Sequence, residues 1–455
     1  MANAWLDAAL SYIPQWLAFQ MRQTEQVGCS IAVAHRGKLL LDESFGHADL
    51  RRGEALTPRH RFRVASHSKS FTATGIMKLR EQGRLKLDDP AGKYVRGLHR
   101  DVAGATITQL LSHTAGIFRD GLDAAYWEGR AEFADQAQLR ADLEQAPVIA
   151  ANTRLKYSNH GFGLAGLVIE AITGEPYAKW MTREILAPLG LRNTSPDVPL
   201  PRGSKLARGH SGKMLLGRRI VYRGDQSTHA LAAATGFVST AADLVAFFGQ
   251  LAPGAKNSVL SAASRREMIR PQWRDAYAPI DVGYGLGIMS GSAFGWDWFG
   301  HSGGFQGYLT RTAVLPAQEL AISVLSNAAD GPPQMWADGI IHILARFAAE
   351  GAPSGAARGW NGRWWSAWGA SDLVPMGNKV VVALPAMATP FLKVSEITVT
   401  GKDKGRISQA GSFGNYGEPV RRVRDGRGKV KAVRLASGRM LSEKDLAKEL
   451  SARYK

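Results

Sequence analysis

Three short stretches of the chain carry residues whose chemistry fits together. Ser66 stands three positions before Lys69 in Ser66-His67-Ser68-Lys69. Residues three apart share a face of a helix, so a helix here brings the Ser66 hydroxyl to the Lys69 amine. A serine hydroxyl is a weak nucleophile until a base sits beside it. A lysine serves as that base when burial or nearby cations lower its pKa. A helix N-terminus adds free N–H groups and a positive dipole end aimed at the nucleophile. The second stretch is Tyr157-Ser158-Asn159, ahead of an apolar run. A Tyr157 phenolate steadied by Lys69 can take the Ser66 proton and pass it to a leaving group. Asn159 can hydrogen-bond Lys69 or a substrate amide. The third is Gly300-His301-Ser302-Gly303-Gly304, between two late strand-like runs. Its glycines let the backbone approach a substrate closely, and His301 adds a donor for a substrate carboxylate or for proton transfer. Taken singly, each stretch has a plain reading: a surface helix, a capping Asn beside a packed Tyr, a Gly-rich turn.

The elements that must position them follow from periodicity. Residues 62–65 form a short strand-like run into Ser66, and a helix continues to about Gln82, where Gly83 stops it. Residues 2–24 carry apolar side chains at helical spacing, among them Trp5, Ile13, Trp16 and Met21. Residues 30–34 and 39–41 flank Arg36-Gly37 as a hairpin. Helices are predicted over 107–111, 160–173, 176–186 and 241–251, the last capped by Thr240. Strands return at 284–289, 296–299, 309–315 and 321–326, and a helix follows over 333–349. Strands at both ends with helices between predict an α+β fold: an antiparallel sheet formed from both ends, flanked by helices, with an all-helical subregion. Residues 351–357 read as a linker. Beyond them, short strand-like runs at 379–384, 396–400 and 429–435 predict a small all-β, barrel-like module. The division expected is a catalytic domain over 1–350 and an accessory domain over 351–455. Trp360, Trp364 and Trp365 are expected in the core of the latter.

Bulk properties narrow the classes. A chain of 455 residues exceeds one comfortable core. Net charge is +18, of which +11 lies in residues 351–455. No nucleic-acid motif accompanies it, so a solvated basic β-surface is expected and no nucleic-acid partner. The single cysteine, Cys29, lies in an apolar run and forms no intrachain disulfide; it reads as a small core residue. The first residues lack a basic and then apolar leader pattern, and no stretch is apolar enough to span a bilayer, so a cytoplasmic protein without a membrane partner is expected. Histidines are scattered without zinc spacing, and glycines lack the phosphate-loop pattern; no metal and no cofactor is expected. His35 and His210 also begin His-x-Gly triplets, but the first precedes the nucleophile and the second lacks a following strand. His113 and His160 read as structural hydrogen-bonding residues, and His67 as a residue lining the cleft.

Ser-x-x-Lys, Tyr-Ser-Asn and His-x-Gly, in this order and at these distances, resemble the β-lactamase/penicillin-binding-protein superfamily. The likeness is strongest to its serine peptidase branch of DD-carboxypeptidases and D-aminopeptidases, related to class C β-lactamases. Residues 107–117 and 236–244 are similar to stretches of that branch, and the resemblance spans roughly residues 20–350. It implies that Ser66 is acylated, that Lys69 and Tyr157 manage its proton, and that His301 completes the site. It further implies substrate contacts from Asn159, Gly303 and Gly304, with backbone N–H groups of Ser66 and Gly304 as the oxyanion hole. His-Ser-Gly stands where classical β-lactamases carry Lys-Thr-Gly, which fits peptidases or amidases better. The resemblance therefore implies cleavage of a small-molecule or short-peptide amide, D-amino-acid-containing ones included, through an acyl-Ser66 intermediate. A carboxylesterase or β-lactamase of the same fold is the alternative, and a non-catalytic binding or sensor protein the outsider. The trailing module is similar to barrel domains that follow some D-aminopeptidases and that can send a loop over the cleft. Oligomeric state stays open.

Overall fold

A computed structural model describes residues 3–214, 216–274, 282–411 and 415–454. It divides into two compact units: residues 26–337, and residues 1–25 together with 338–455. The two compact units meet at 337/338, within the helix Pro333–Glu350, and the first helix packs with the second of them.

In the first unit the described residues form a nine-stranded sheet from both ends of the segment. Gly28–His35 pairs with Lys38–Asp49 on one side and with Leu320–Ser326 on the other, both antiparallel. The sheet continues through Tyr308–Leu315, Trp296–Phe305 and Met289–Ala293 to short edge strands. Gly28–His35 and Leu320–Ser326 are buried along almost their whole length, as strands covered on both faces must be. Cys29 lies on the first of these, fully buried, and burial pushes its thiol pKa up. Serving as an inert core residue, it is no nucleophile.

The helix His67–Glu81 runs through the middle of this unit. From Arg61 to Met77, Ser66 is the one residue that is not buried. Its polar residues are satisfied within the core: Ser70 Oγ donates to Gly287 O (2.7 Å), and Thr72 Oγ1 to Ala233 O (2.6 Å). Gly75 is where Trp180 and Met181 press on the helix; an added Cβ would lie 2.9 Å from the Met181 sulfur. Asn159–Thr173 is the second central helix. Ser158 caps it by accepting from Gly161 N, and Gly174 ends it in the left-handed conformation.

In the second unit, eight strands from Gly362–Ser366 to Gly438–Leu441 close into a barrel through the pair Trp365↔Leu441. Its core includes Leu373, Val380, Ile397, Ile407 and Val420, with Trp360 fully buried beside them. Ala4–Gln23 packs in the same unit: Tyr12 O–H donates to Asp372 Oδ2 (3.0 Å) and Trp16 Nε1 to Met387 O (3.1 Å). Among the described residues no helix is long and apolar enough to cross a membrane, and no His/Cys/Asp/Glu cluster is arranged to hold a metal ion.

Candidate active site

The chain reaches Ser66 through a strained corner. Ala65, buried and non-glycine, has φ +46°, a left-handed conformation that costs energy and persists only where the surroundings enforce it. Phe62–Arg63 is held by pairing with Val238–Ser239, and Val64 N donates to Phe237 O (3.0 Å). Ser68 Oγ bonds Ala65 O (2.6 Å) and accepts from Phe237 N (2.9 Å). The corner is therefore tied on both sides, and Ser66 emerges at the first turn of the helix.

Lys69 lies one turn on and is fully buried. Its Nζ has three partners: Asn159 Oδ1 (2.6 Å), Ala234 O (2.9 Å) and Ser66 Oγ (3.2 Å). Burial drives its pKa well below the usual lysine value; Asp120 opposes that shift and Arg119 adds to it. Burial thereby favours the neutral amine over the ammonium. Tyr157 O–H donates to Ser66 Oγ (2.8 Å), and burial raises the phenol's pKa. Burial thus works against the expected Tyr157 phenolate, and the phenol O–H is arranged as a donor to Ser66. His113 stacks on Tyr157 with ring centroids 4.1 Å apart and accepts from Ser158 N (3.1 Å).

The third stretch lies inside a strand rather than at a turn. Trp296–Phe305 runs through His301, Ser302, Gly303 and Gly304, and the turn follows at Gln306–Gly307. The glycines there meet backbone as well as cleft. A Cβ on Gly303 would sit 2.2 Å from Val64 O, and one on Gly300 2.0 Å from Thr312 O. Gly303 is what lets the strand pass against the corner bearing Ser66. Gly304 is exposed, facing the cleft.

His301 lies in the cleft wall, but its imidazole is committed. Nδ1 donates to Ser302 O (2.6 Å), so Nε2 is the acceptor for Tyr284 O–H (3.0 Å). Burial lowers its pKa well below the usual histidine value. In this arrangement His301 links Tyr284 to the strand backbone in the cleft wall. His67 likewise departs from the cleft-lining expectation. It is fully buried, bonding Val64 O (3.0 Å) and Thr312 Oγ1 (2.9 Å), with its pKa lowered to about 3 by burial. His160 pairs with Asp142 (2.8 Å). His35 ends a strand and His210 bonds Asn327 O, so neither competes with His301.

Ser66, Arg119, Tyr157, Tyr284, His301, Gly303 and Gly304 line one open cleft of about 400 Å³. Arg119 and Tyr284 carried no recognisable sequence signal: one lies in a loop, the other in an apolar run. A larger groove of about 760 Å³, along residues 178–201, contains none of the reactive groups. The chemistry, not the volume, marks the site.

The model of the Beta-lactamase family matches residues 14–345. The protein flp of Staphylococcus aureus (strain N315) is 32% identical over 175 residues, which is 37% of this chain and 34% of that protein; the match spans about a third of that relative's length. A penicillin-binding protein homologue from Pyrococcus abyssi superposes with a TM-score of 0.66 at 22% identity, covering 95% of this chain and 99% of the other, a likeness of fold. A D-stereospecific amidohydrolase from Streptomyces sp. gives a TM-score of 0.59 at 29% identity, covering 70% and 94%. With a family match over most of its length, the chain belongs to the beta-lactamase family.

Proposed function

We propose that the protein is a serine hydrolase that cleaves a peptide-like amide through an acyl-Ser66 intermediate. The observation that carries this reading is a hydroxyl flanked by a buried lysine and a protonated tyrosine, at 3.2 and 2.8 Å. Two of the lysine's tetrahedral directions are occupied by Asn159 Oδ1 and Ala234 O, so the third points at Ser66. On the neutral amine that direction holds the lone pair. The Ser66 proton moves to Lys69 as Oγ attacks the substrate carbonyl, and the carbonyl electron pair moves onto its oxygen. Backbone N–H groups of Ser66 and Gly304 serve as the donors for that oxyanion, a contribution of order 3 kcal/mol per donor. The C–N bond then breaks, and the departing nitrogen takes a proton through the Tyr157 hydroxyl, which Lys69 replenishes. Water attacks the acyl-serine by the same proton route and releases the acid. Asn159 keeps Lys69 in place, while His301 and Gly303 hold the wall opposite.

An amide is favoured over a β-lactam because His-Ser-Gly occupies the position of Lys-Thr-Gly. The Streptomyces neighbour, described as D-stereospecific, makes D-aminoacyl amides the first substrates to try. The test is intact-mass and peptide mapping after a fluorophosphonate probe, followed by D- and L-aminoacyl amides, p-nitrophenyl esters and nitrocefin. The expected result is one adduct, on Ser66, and turnover of amides that Ser66→Ala abolishes. An adduct elsewhere, or turnover indifferent to Ser66→Ala, refutes the proposal.

A further inference from the structure

The orientation of the Asn159 amide decides how Lys69 is held. Ala234 O accepts under all conditions, being a carbonyl. Asn159 offers either an oxygen or an NH2 group, and which one faces Lys69 is set by its other neighbour. That neighbour is Asp120. Its Oδ1 lies 2.5 Å from Asn159 Nδ2, and a carboxylate only accepts. The Asn159 oxygen is thereby turned to Lys69, 2.6 Å away. With the amide reversed, an NH2 would confront the amine, and one of its three directions would be freed from an acceptor.

Asp120 is itself built in. Trp127 Nε1 donates to the same Oδ1 (3.0 Å), and Arg119 Nε pairs with Oδ2 (3.0 Å). Asn159 N donates to Arg119 O (2.8 Å), and Tyr126 O–H to Asp120 O (2.9 Å). The Asp120 side chain is only 13% exposed. We infer that Asp120 is a positioning residue for the reaction, locking the Asn159 amide so that the free direction of Lys69 points at Ser66. This rests on the proposed acylation of Ser66. Asp120 also acts on Lys69 through charge. It favours the ammonium, whereas burial and Arg119 favour the amine. The other titratable groups facing Lys69 are Tyr157, His113 and His301, which burial holds neutral.

The test compares rates of Ser66 labelling by a fluorophosphonate against pH in the full chain, as wild type, Asp120→Ala and Asp120→Asn, with melting curves for each. Asp120→Ala frees the amide to turn and is expected to label about 100-fold more slowly, the scale of a misplaced catalytic group. Asp120→Asn still offers an oxygen to Asn159 and Trp127, and recovers the rate to within about 5-fold. Its acid limb moves to lower pH, because the charge that favoured the ammonium is gone. Asp120→Ala labelling at the wild-type rate overturns the inference, as does Asp120→Asn labelling as slowly as Asp120→Ala with its acid limb unmoved. A wild type that is not labelled at Ser66 overturns the proposed function and this inference with it.

Discussion

Substituting alanine at Gly303 probes the contact between the cleft strand and the corner that presents Ser66. The new Cβ would lie 2.2 Å from Val64 O and 2.6 Å from Thr310 Oγ1. Such atoms stay at least about 3.0 Å apart, so one side must retreat by about 0.8 Å. Retreat of the corner disturbs Ala65, already at φ +46°, and with it the direction of the Ser66 hydroxyl. Retreat of the strand carries His301 and Gly304 away from Ser66. Overpacking of this kind costs about 1–3 kcal/mol. A displacement approaching 1 Å at a reacting group costs on the order of 100-fold in rate. Gly303→Ala is therefore expected to melt several degrees lower and to label at Ser66 about 100-fold more slowly. Gly304→Ala is the control for stability: its Cβ meets nothing nearer than Leu309 Cδ2 at 3.4 Å, so its melting should stay within the change expected of about 0.5 kcal/mol. Gly303→Ala melting and labelling like wild type would show that the close approach does not shape the site.

Other outcomes follow from the same contacts. Tyr157→Phe removes the donor to Ser66 Oγ while keeping the ring on His113, and is expected to cut amide turnover by about 100-fold or more with melting little changed, as read by steady-state kinetics and calorimetry. Tyr284→Phe leaves His301 Nε2 buried without its donor and should cost about 1–3 kcal/mol in a denaturant titration. With Lys69 as the proposed neutral base, kcat/KM should rise with pH through the lowered lysine pKa, and a profile that falls across that limb would reverse the assignment of the base. His67 makes the fold acid-sensitive. Its folded pKa is about 3, against about 6.5 unfolded, so the unfolded state binds the extra proton between those values. Stability from this residue is whole above pH 6.5 and falls by up to about 1.4 kcal/mol per unit below it, fading as pH nears 3. Burial holds His113 and His301 below their usual pKa as well, so urea midpoints should fall from pH 7 to 4 with all three, and a His67→Asn variant should lose part of that fall.

Much of the site could be read from residue order because its reactive groups lie in local motifs. Ser66 and Lys69 are one helical turn apart, and Tyr157 and Asn159 immediately precede or begin a helix whose cap is visible as Ser158. The sheet from both chain ends followed from strand-like runs flanking helical ones. What stayed hidden depends on distance in the chain. Asp120 is 39 residues from the amide it holds, in a loop with no pattern of its own. Tyr284 sits in an apolar run, where its hydroxyl gives no sign of meeting His301. Gly303 looked like room for a substrate, whereas its Cβ position is filled by Val64 O. His301 looked available because sequence does not reveal that both ring nitrogens have partners. Nothing local in the first helix records that Trp16 reaches Met387, 371 residues away.

That last contact has a consequence for biosynthesis. The helix Ala4–Gln23 is synthesised well ahead of the barrel strands of its unit, which are made only after residue 361. At typical rates of about 5–20 residues per second, its apolar stripe of Ile13, Trp16 and Leu17 waits on the order of 20–70 seconds for its native neighbours. A nascent chain stalled before the barrel would display that stripe to whatever chaperone or neighbouring polypeptide is at hand, so recoverable yield should depend on the speed of completing the chain's second half.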